Sequence, residues 1–173
     1  MRSDDDGFSR RERRVKQEAT KTPGSKDRRK VEARIWIQIL SLESAIFSEL
    51  NGALSTEYGL SVAKFEFLAQ VDRYPDGISL GTISSNLRVT SGNVSGLVRR
   101  LLAEGLISKK MSPKDRRSFI VRFTPKGKNL FQKANALHAA TLAKCLKQIA
   151  SGELEDSLKT LRSLVQKIRG ASL

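Results

Sequence analysis

At 173 residues the chain has room for one globular domain with an extension, and too little for two large ones. Its 39% hydrophobic and 29% charged residues are those of an ordinary soluble protein, which by itself does not separate an enzyme from a binding module. Charge is more selective: 32 Lys and Arg stand against 18 Asp and Glu, a net +14 that attracts polyanions such as nucleic acid or an anionic membrane surface.

No uninterrupted apolar run is long enough to span a bilayer, and the first residues are polar rather than a hydrophobic signal core, so a cytoplasmic protein without membrane attachment is expected. The single cysteine, Cys145, offers neither an internal disulfide nor a multi-cysteine metal site. The positive charge is uneven. Residues 1–30 hold 11 basic and 6 acidic side chains, 31–87 hold 3 and 7, 88–128 hold 11 and 2, and 129–173 hold 7 and 3. The electropositive centre is therefore 88–128.

In chain order, residues 1–30 lack apolar periodicity and end in Thr22-Pro23-Gly24-Ser25, the pattern of a flexible basic tail. Such a tail is either a solvated extension or an arm that adds nonspecific DNA affinity. From Val31 to about Leu54, Ile35, Ile39, Leu42, Ile46 and Leu50 recur at helical spacing, and Trp36, Leu40 and Phe47 widen the stripe beyond what one neighbour covers. Ser61 opens a second helix to about Arg73, stopped by Tyr74-Pro75-Asp76-Gly77. Ser79 caps a short helix to Leu87, and Thr90 caps a longer one to Ala103, closed by Gly105. Two extended runs, Leu106–Met111 and Ser118–Phe123, flank Ser112-Pro113-Lys114-Asp115-Arg116-Arg117 and read as a hairpin. Thr124-Pro125 launches a helix to about Ala150 with Leu130, Ala134, Leu137, Thr141 and Cys145 on one stripe. Ser151-Gly152 breaks it, and a last helix over about 153–169 aligns Leu154, Leu158, Leu161, Val165 and Ile168.

The chemistry concentrates on the helix that starts at Thr90. Val94, Leu97, Val98, Leu101 and Leu102 form its core face, which leaves Ser91, Gly92, Asn93, Ser95, Gly96 and Arg99 outward or near its first turns. Small and hydroxyl residues let a helix approach DNA closely, Asn and Ser can bond base edges or phosphates, and Arg99 and Arg100 reach backbone or base. A solvated polar face is the plain alternative. The hairpin shifts the balance: its tip sets Lys114, Arg116 and Arg117 around Asp115, a narrow cationic loop suited to a minor groove, with a carboxylate that can orient an arginine.

Catalytic residues are not apparent. His138, the only histidine, has no nucleophile near it in sequence and cannot build a multi-histidine metal site, so neither an enzyme nor a metal or cofactor is expected.

Two stretches carry a family resemblance: Val89-Thr90-Ser91-Gly92-Asn93-Val94-Ser95-Gly96-Leu97-Val98 with Arg100-Leu101 and Gly105-Leu106-Ile107, and Pro113-Lys114-Asp115-Arg116-Arg117 with Val121 and Thr124-Pro125-Lys126-Gly127. In these the chain resembles the MarR family of winged helix-turn-helix regulators, over about 31–169. The resemblance implies a mainly α fold with a small β-hairpin wing, a DNA-binding lobe over about 61–124, and dimerisation helices over about 31–54 and 125–169. It implies a homodimer on double-stranded DNA at a pseudo-palindromic operator, with a wing arginine at Arg117 supported by Asp115. Three positions depart from the family pattern: Arg99 where aspartate is frequent, Leu102 where glutamate is frequent, and Ser112 where aspartate often precedes the proline. Arg99 adds attraction for DNA.

Regulators of this kind often respond to phenolic or aromatic acids, or their thioesters, in a cleft beside the dimerisation helices. Arg34, Trp36 and His138 lie on elements that could border such a cleft, although Trp36 more often signals core packing. Cys145, on an apolar stripe, reads as a buried core thiol rather than a sensor. Ile39, Leu158, Leu161 and Val165 are the expected dimer contacts, since one small lobe cannot cover both stripes. The reading is a sequence-specific repressor, with an activator second, released by a small-molecule effector. The alternative is a nonspecific or architectural DNA-binding protein, for which overall charge would suffice.

Overall fold

The first helix, α1 (Ser25–Tyr58), opens the computed structural model, which describes residues 25–87, 91–112 and 119–170. The chain divides into two compact units, Met1–Ser44 and Ala45–Leu173, and α1 runs from the first into the second. The helix starts six residues earlier than the apolar stripe indicates, so residues 25–30 are not part of a flexible tail. Asp27 in the first turn complements the positive end of the helix, and Arg28 Nε donates to Glu32 Oε1 one turn on. Such charge-only support leaves no apolar periodicity to read. Residues 1–24, the rest of the expected tail, lie outside the described residues. Within the first unit, every side chain from Val31 to Ser44 is exposed.

In the second unit α1 buries Leu50 and Leu54 and closes four residues later than expected. Gly59, in the left-handed region at φ +63, donates its N–H to the Ser55 carbonyl. Helix α2 (Val62–Asp72) is capped by Ser61, whose Oγ accepts from Lys64 N, and it buries Phe65, Phe67, Leu68 and Val71, so it runs through the core. The turn after it ends at Gly77, whose φ of +96 only glycine adopts readily. Then come β1 (Ile78–Ser79), α3 (Leu80–Leu87), α4 (Ser91–Ala103), β2 (Ile107–Met111), β3 (Phe119–Phe123), α5 (Pro125–Leu146) and α6 (Ser151–Gly170).

The strands form one antiparallel sheet in the order β1-β3-β2. β2 and β3 are the expected hairpin, in register from Ile107 opposite Phe123 to Met111 opposite Phe119. β1 is new relative to the sequence reading. Two residues cannot show an alternating pattern, yet Ile78 pairs with Val121 and both are buried. The core joins these two to Ile83, Leu101, Leu106, Phe131 and Ala134, which locks α3, α4, α5 and the hairpin root together. Each of these side chains larger than alanine contributes on the order of 1.5–3 kcal/mol by burial.

Three further boundaries and placements differ from expectation, and one agrees with it. Leu102 is exposed, because the inward stripe of α4 passes through Val94, Leu97, Val98 and Leu101 and Leu102 falls beside it. Helix α5 stops at Leu146, and Ser151 opens α6 rather than breaking α5. Cys145 is half-buried, not a core thiol, since it lies in the last turn of α5, beyond the buried Thr141. The amphipathic helix α6 buries none of its side chains within this chain, and Leu158, Leu161, Val165 and Ile168 are exposed. No helix among the described residues is long and apolar enough to cross a membrane.

Candidate nucleic-acid interface

Helices α3 and α4 are the two helices of the expected helix-turn-helix. Ser79 Oγ accepts from Thr82 N at 3.1 Å and caps α3, as its sequence position indicates. Asn86 of α3 donates its side-chain amide to Gln70 of α2 at 3.0 Å, a partly buried tie between the first helix of the motif and the core helix. Residues 88–90, which include the expected cap Thr90, lie outside the described residues.

Helix α4 divides as the residue pattern requires. Val94, Leu97, Val98 and Leu101 are buried, while Gly92, Asn93, Ser95, Arg99 and Arg100 are exposed; Ser91 is helical, and its side chain lies outside the description. Gly96 is half-exposed, and a methyl group built on it would meet nothing within 4 Å. The outward face of α4 thus combines small residues, amide and hydroxyl groups and two guanidinium groups.

The wing rises beside it. Its root is fixed by the sheet and by Arg122, whose Nε donates to the Asp76 carbonyl at 2.8 Å, tying β3 to the turn before β1. Lys109 stands 3.8 Å from the centre of the Phe119 ring, a cation over an aromatic face, diagonally across the strand pair. Lys109 and Lys110 are both exposed on β2 and bring positive charge onto the wing before its tip. From sequence these two lysines count within the electropositive segment 88–128, but only the tip residues stand out as wing contacts. The expected tip residues Lys114, Asp115, Arg116 and Arg117 lie outside the described residues.

The expected effector residues fall in both units. Arg34 and Trp36 are exposed on α1 in the first unit. His138 of α5, in the second, lies face to face on Phe65 with centroids 4.6 Å apart. Phe65 stacks in turn on Phe131, and Phe131 touches Phe123 of the wing root, so an aromatic column joins α2, α5 and β3. Burial lowers the His138 pKa below the usual 6.5, and the carboxylate of Glu66 partly opposes it. A separate groove of about 460 Å³ in the second unit is lined by Ser48, Glu49 and Glu57 of α1 and Leu137, Thr141 and Lys144 of α5, among others; His138 is not among its lining residues. Among the described residues no group of three His, Cys, Asp or Glu could hold a metal ion.

The family model described as MarR family matches residues 58–118, from the end of α1 to just before β3. A solved MarR family transcriptional regulator from Silicibacter pomeroyi is 37% identical, superposes with a TM-score of 0.73 and covers 82% of this chain and 98% of its own. The chain belongs to the MarR family. It is accordingly a DNA-binding transcriptional regulator with the winged-helix fold. Two more distant MarR-like structures share that fold. One is CouR from Rhodococcus jostii RHA1 bound to p-coumaroyl-CoA, at 20% identity and TM-score 0.66 over 75% of this chain and 90% of that one. The other is a mutant MarR from E. coli complexed with operator DNA, at 20% and 0.68 over 78% and 93%.

Proposed function

We propose that this MarR-family protein is a sequence-specific repressor that binds a pseudo-palindromic operator as a homodimer and is released by a small aromatic acid or thioester. The outward face of α4 carries the reading. It presents Gly92, Asn93, Ser95, Arg99 and Arg100 on a helix whose opposite side is anchored in the core. Helix faces of that kind read base edges in the major groove while phosphate contacts fix the register. In this reading Arg117, oriented by Asp115, enters the adjacent minor groove, and Lys114 and Arg116 meet phosphates.

A second copy is the natural cover for the apolar side chains exposed on α1 and α6, among them Ile39, Leu158, Leu161 and Val165. CouR, of like fold, holds p-coumaroyl-CoA in its structure, which supports this effector class. The groove between α1 and α5 has room for a small aromatic molecule, and its charged lining is mixed, with Lys144 beside Glu49 and Glu57.

Selection of duplexes from a random library with the full-length protein tests the main reading. The expected product is an inverted repeat that binds at least about a thousandfold more tightly than a scrambled duplex at physiological salt. Affinities within about tenfold of each other would instead assign the chain to nonspecific DNA binding. Thermal-shift screening of aromatic acids and thioesters tests release: an effector must both stabilise the protein and weaken operator binding.

A further inference from the structure

The C-terminus of α4 and the N-terminus of α5 are locked end to end. Helix α4 closes in a Schellman arrangement: Gly105, at φ +68, donates to the Leu102 carbonyl, and Leu106 N donates to the Leu101 carbonyl. The three carbonyls just past the helix end, those of Glu104, Gly105 and Leu106, all meet the start of α5. Lys126 Nζ donates to Glu104 O at 2.8 Å, Thr124 Oγ1 donates to Gly105 O at 2.7 Å, and Thr124 N donates to Leu106 O at 3.1 Å. The same Thr124 hydroxyl accepts from Gly127 N at 3.0 Å and so caps α5. Gly127 is buried against the Leu106 backbone so closely that a Cβ would overlap the carbonyl oxygen. On the other side, Lys64 of α2 pairs with the Glu104 carboxylate.

The negative end of one helix thus abuts the positive end of the next, and the Thr124 hydroxyl serves both. Three bonds and a van der Waals stop leave the joint little freedom to pivot. We infer that Thr124, Lys126 and Gly127 form a positioning joint that sets the angle at which α4 meets DNA from the placement of α5. None of the three need touch a base. The inference rests on α4 being the element that reads the operator. It predicts that loosening the joint costs operator recognition more than it costs general attraction for DNA, because only recognition depends on the angle.

The probes are the duplex selected by the wild-type protein and a scrambled duplex of equal composition. Thr124→Val removes the hydroxyl and keeps the shape, Thr124→Ser restores the hydroxyl, and Lys126→Met removes one donor from an exposed position. Circular dichroism fixes a temperature at which each variant is folded. Thr124→Val should lower the ratio of selected to scrambled affinity about tenfold, roughly the effect of one mismatched base pair, and leave scrambled binding within about twofold of wild type. Thr124→Ser should restore the ratio, and Lys126→Met should lower it several-fold. A ratio unchanged in both Thr124→Val and Lys126→Met, with only the melting temperature reduced, would overturn the inference and leave a purely structural contact. If Thr124→Val does not fold, Lys126→Met against wild type decides in the same way. Absence of any preference in the wild type would instead refute sequence-specific binding and is read separately.

Discussion

His138 shows how one side chain ties protonation to packing. Its ring lies flat on Phe65, and burial disfavours its charged form more than Glu66 favours it. Because the folded pKa is depressed, the folded state holds fewer protons than the unfolded one. The stability this group contributes is present above pH 6.5 and lost as pH falls through the folded pKa. Denaturant melts from pH 8 to pH 5 should therefore show a decline that His138→Phe flattens, and an equal decline in both proteins would remove the assignment. At the wing tip, Arg117→Ala should cost on the order of 1–3 kcal/mol of operator binding and reduce the salt slope by about one, while folding is unaffected. Titration beside Lys159→Ala, a basic residue of α6, checks this; small losses of the same size in both would refute a groove contact.

Among the elements, α4 carries an unusual concession. Gly96 sits mid-helix with a negative or unremarkable φ and open space where a Cβ would go, so nothing within the chain requires glycine there. Gly96→Ala should raise stability by roughly 0.5–1 kcal/mol, measured by urea denaturation, since alanine loses less backbone entropy in a helix. Where local chemistry decides an element, the sequence reads well: Ser61, Ser79, Gly105 and Thr124-Pro125 place helix ends to within a residue because each supplies the very atom that satisfies an orphan backbone group. The start of α1 was hidden because charged pairs one turn apart leave no apolar stripe, and β1 was hidden because a two-residue strand exists only through its partners Val121 and Ile120. The outward face of α4 was legible for the same reason as its core face, both being set by one helical period. The Lys109–Phe119 stack was not, since it depends on strand register rather than on neighbours in sequence.

For the whole molecule, the proposed assembly turns on helices that expose what helices normally bury. Helix α6 has 20 residues and no buried side chain, whereas most helical stability in proteins comes from packing of the apolar face. Leu161→Asp should convert a sedimenting dimer to monomer and abolish operator binding, because an unpaired charge in an apolar interface is strongly disfavoured; a variant that stays dimeric and binds normally would place the interface elsewhere. Helix α1 adds a feature of a different kind. Its Trp36 is the chain's single tryptophan and is 60% exposed. Indole emission shifts to shorter wavelength when water is excluded, and a covered ring resists quenching by iodide. The protein therefore contains its own optical gauge: if a second copy covers this part of α1, simple dilution of unlabelled protein should move the emission to longer wavelength, and the midpoint of that change would report the dissociation constant of the dimer.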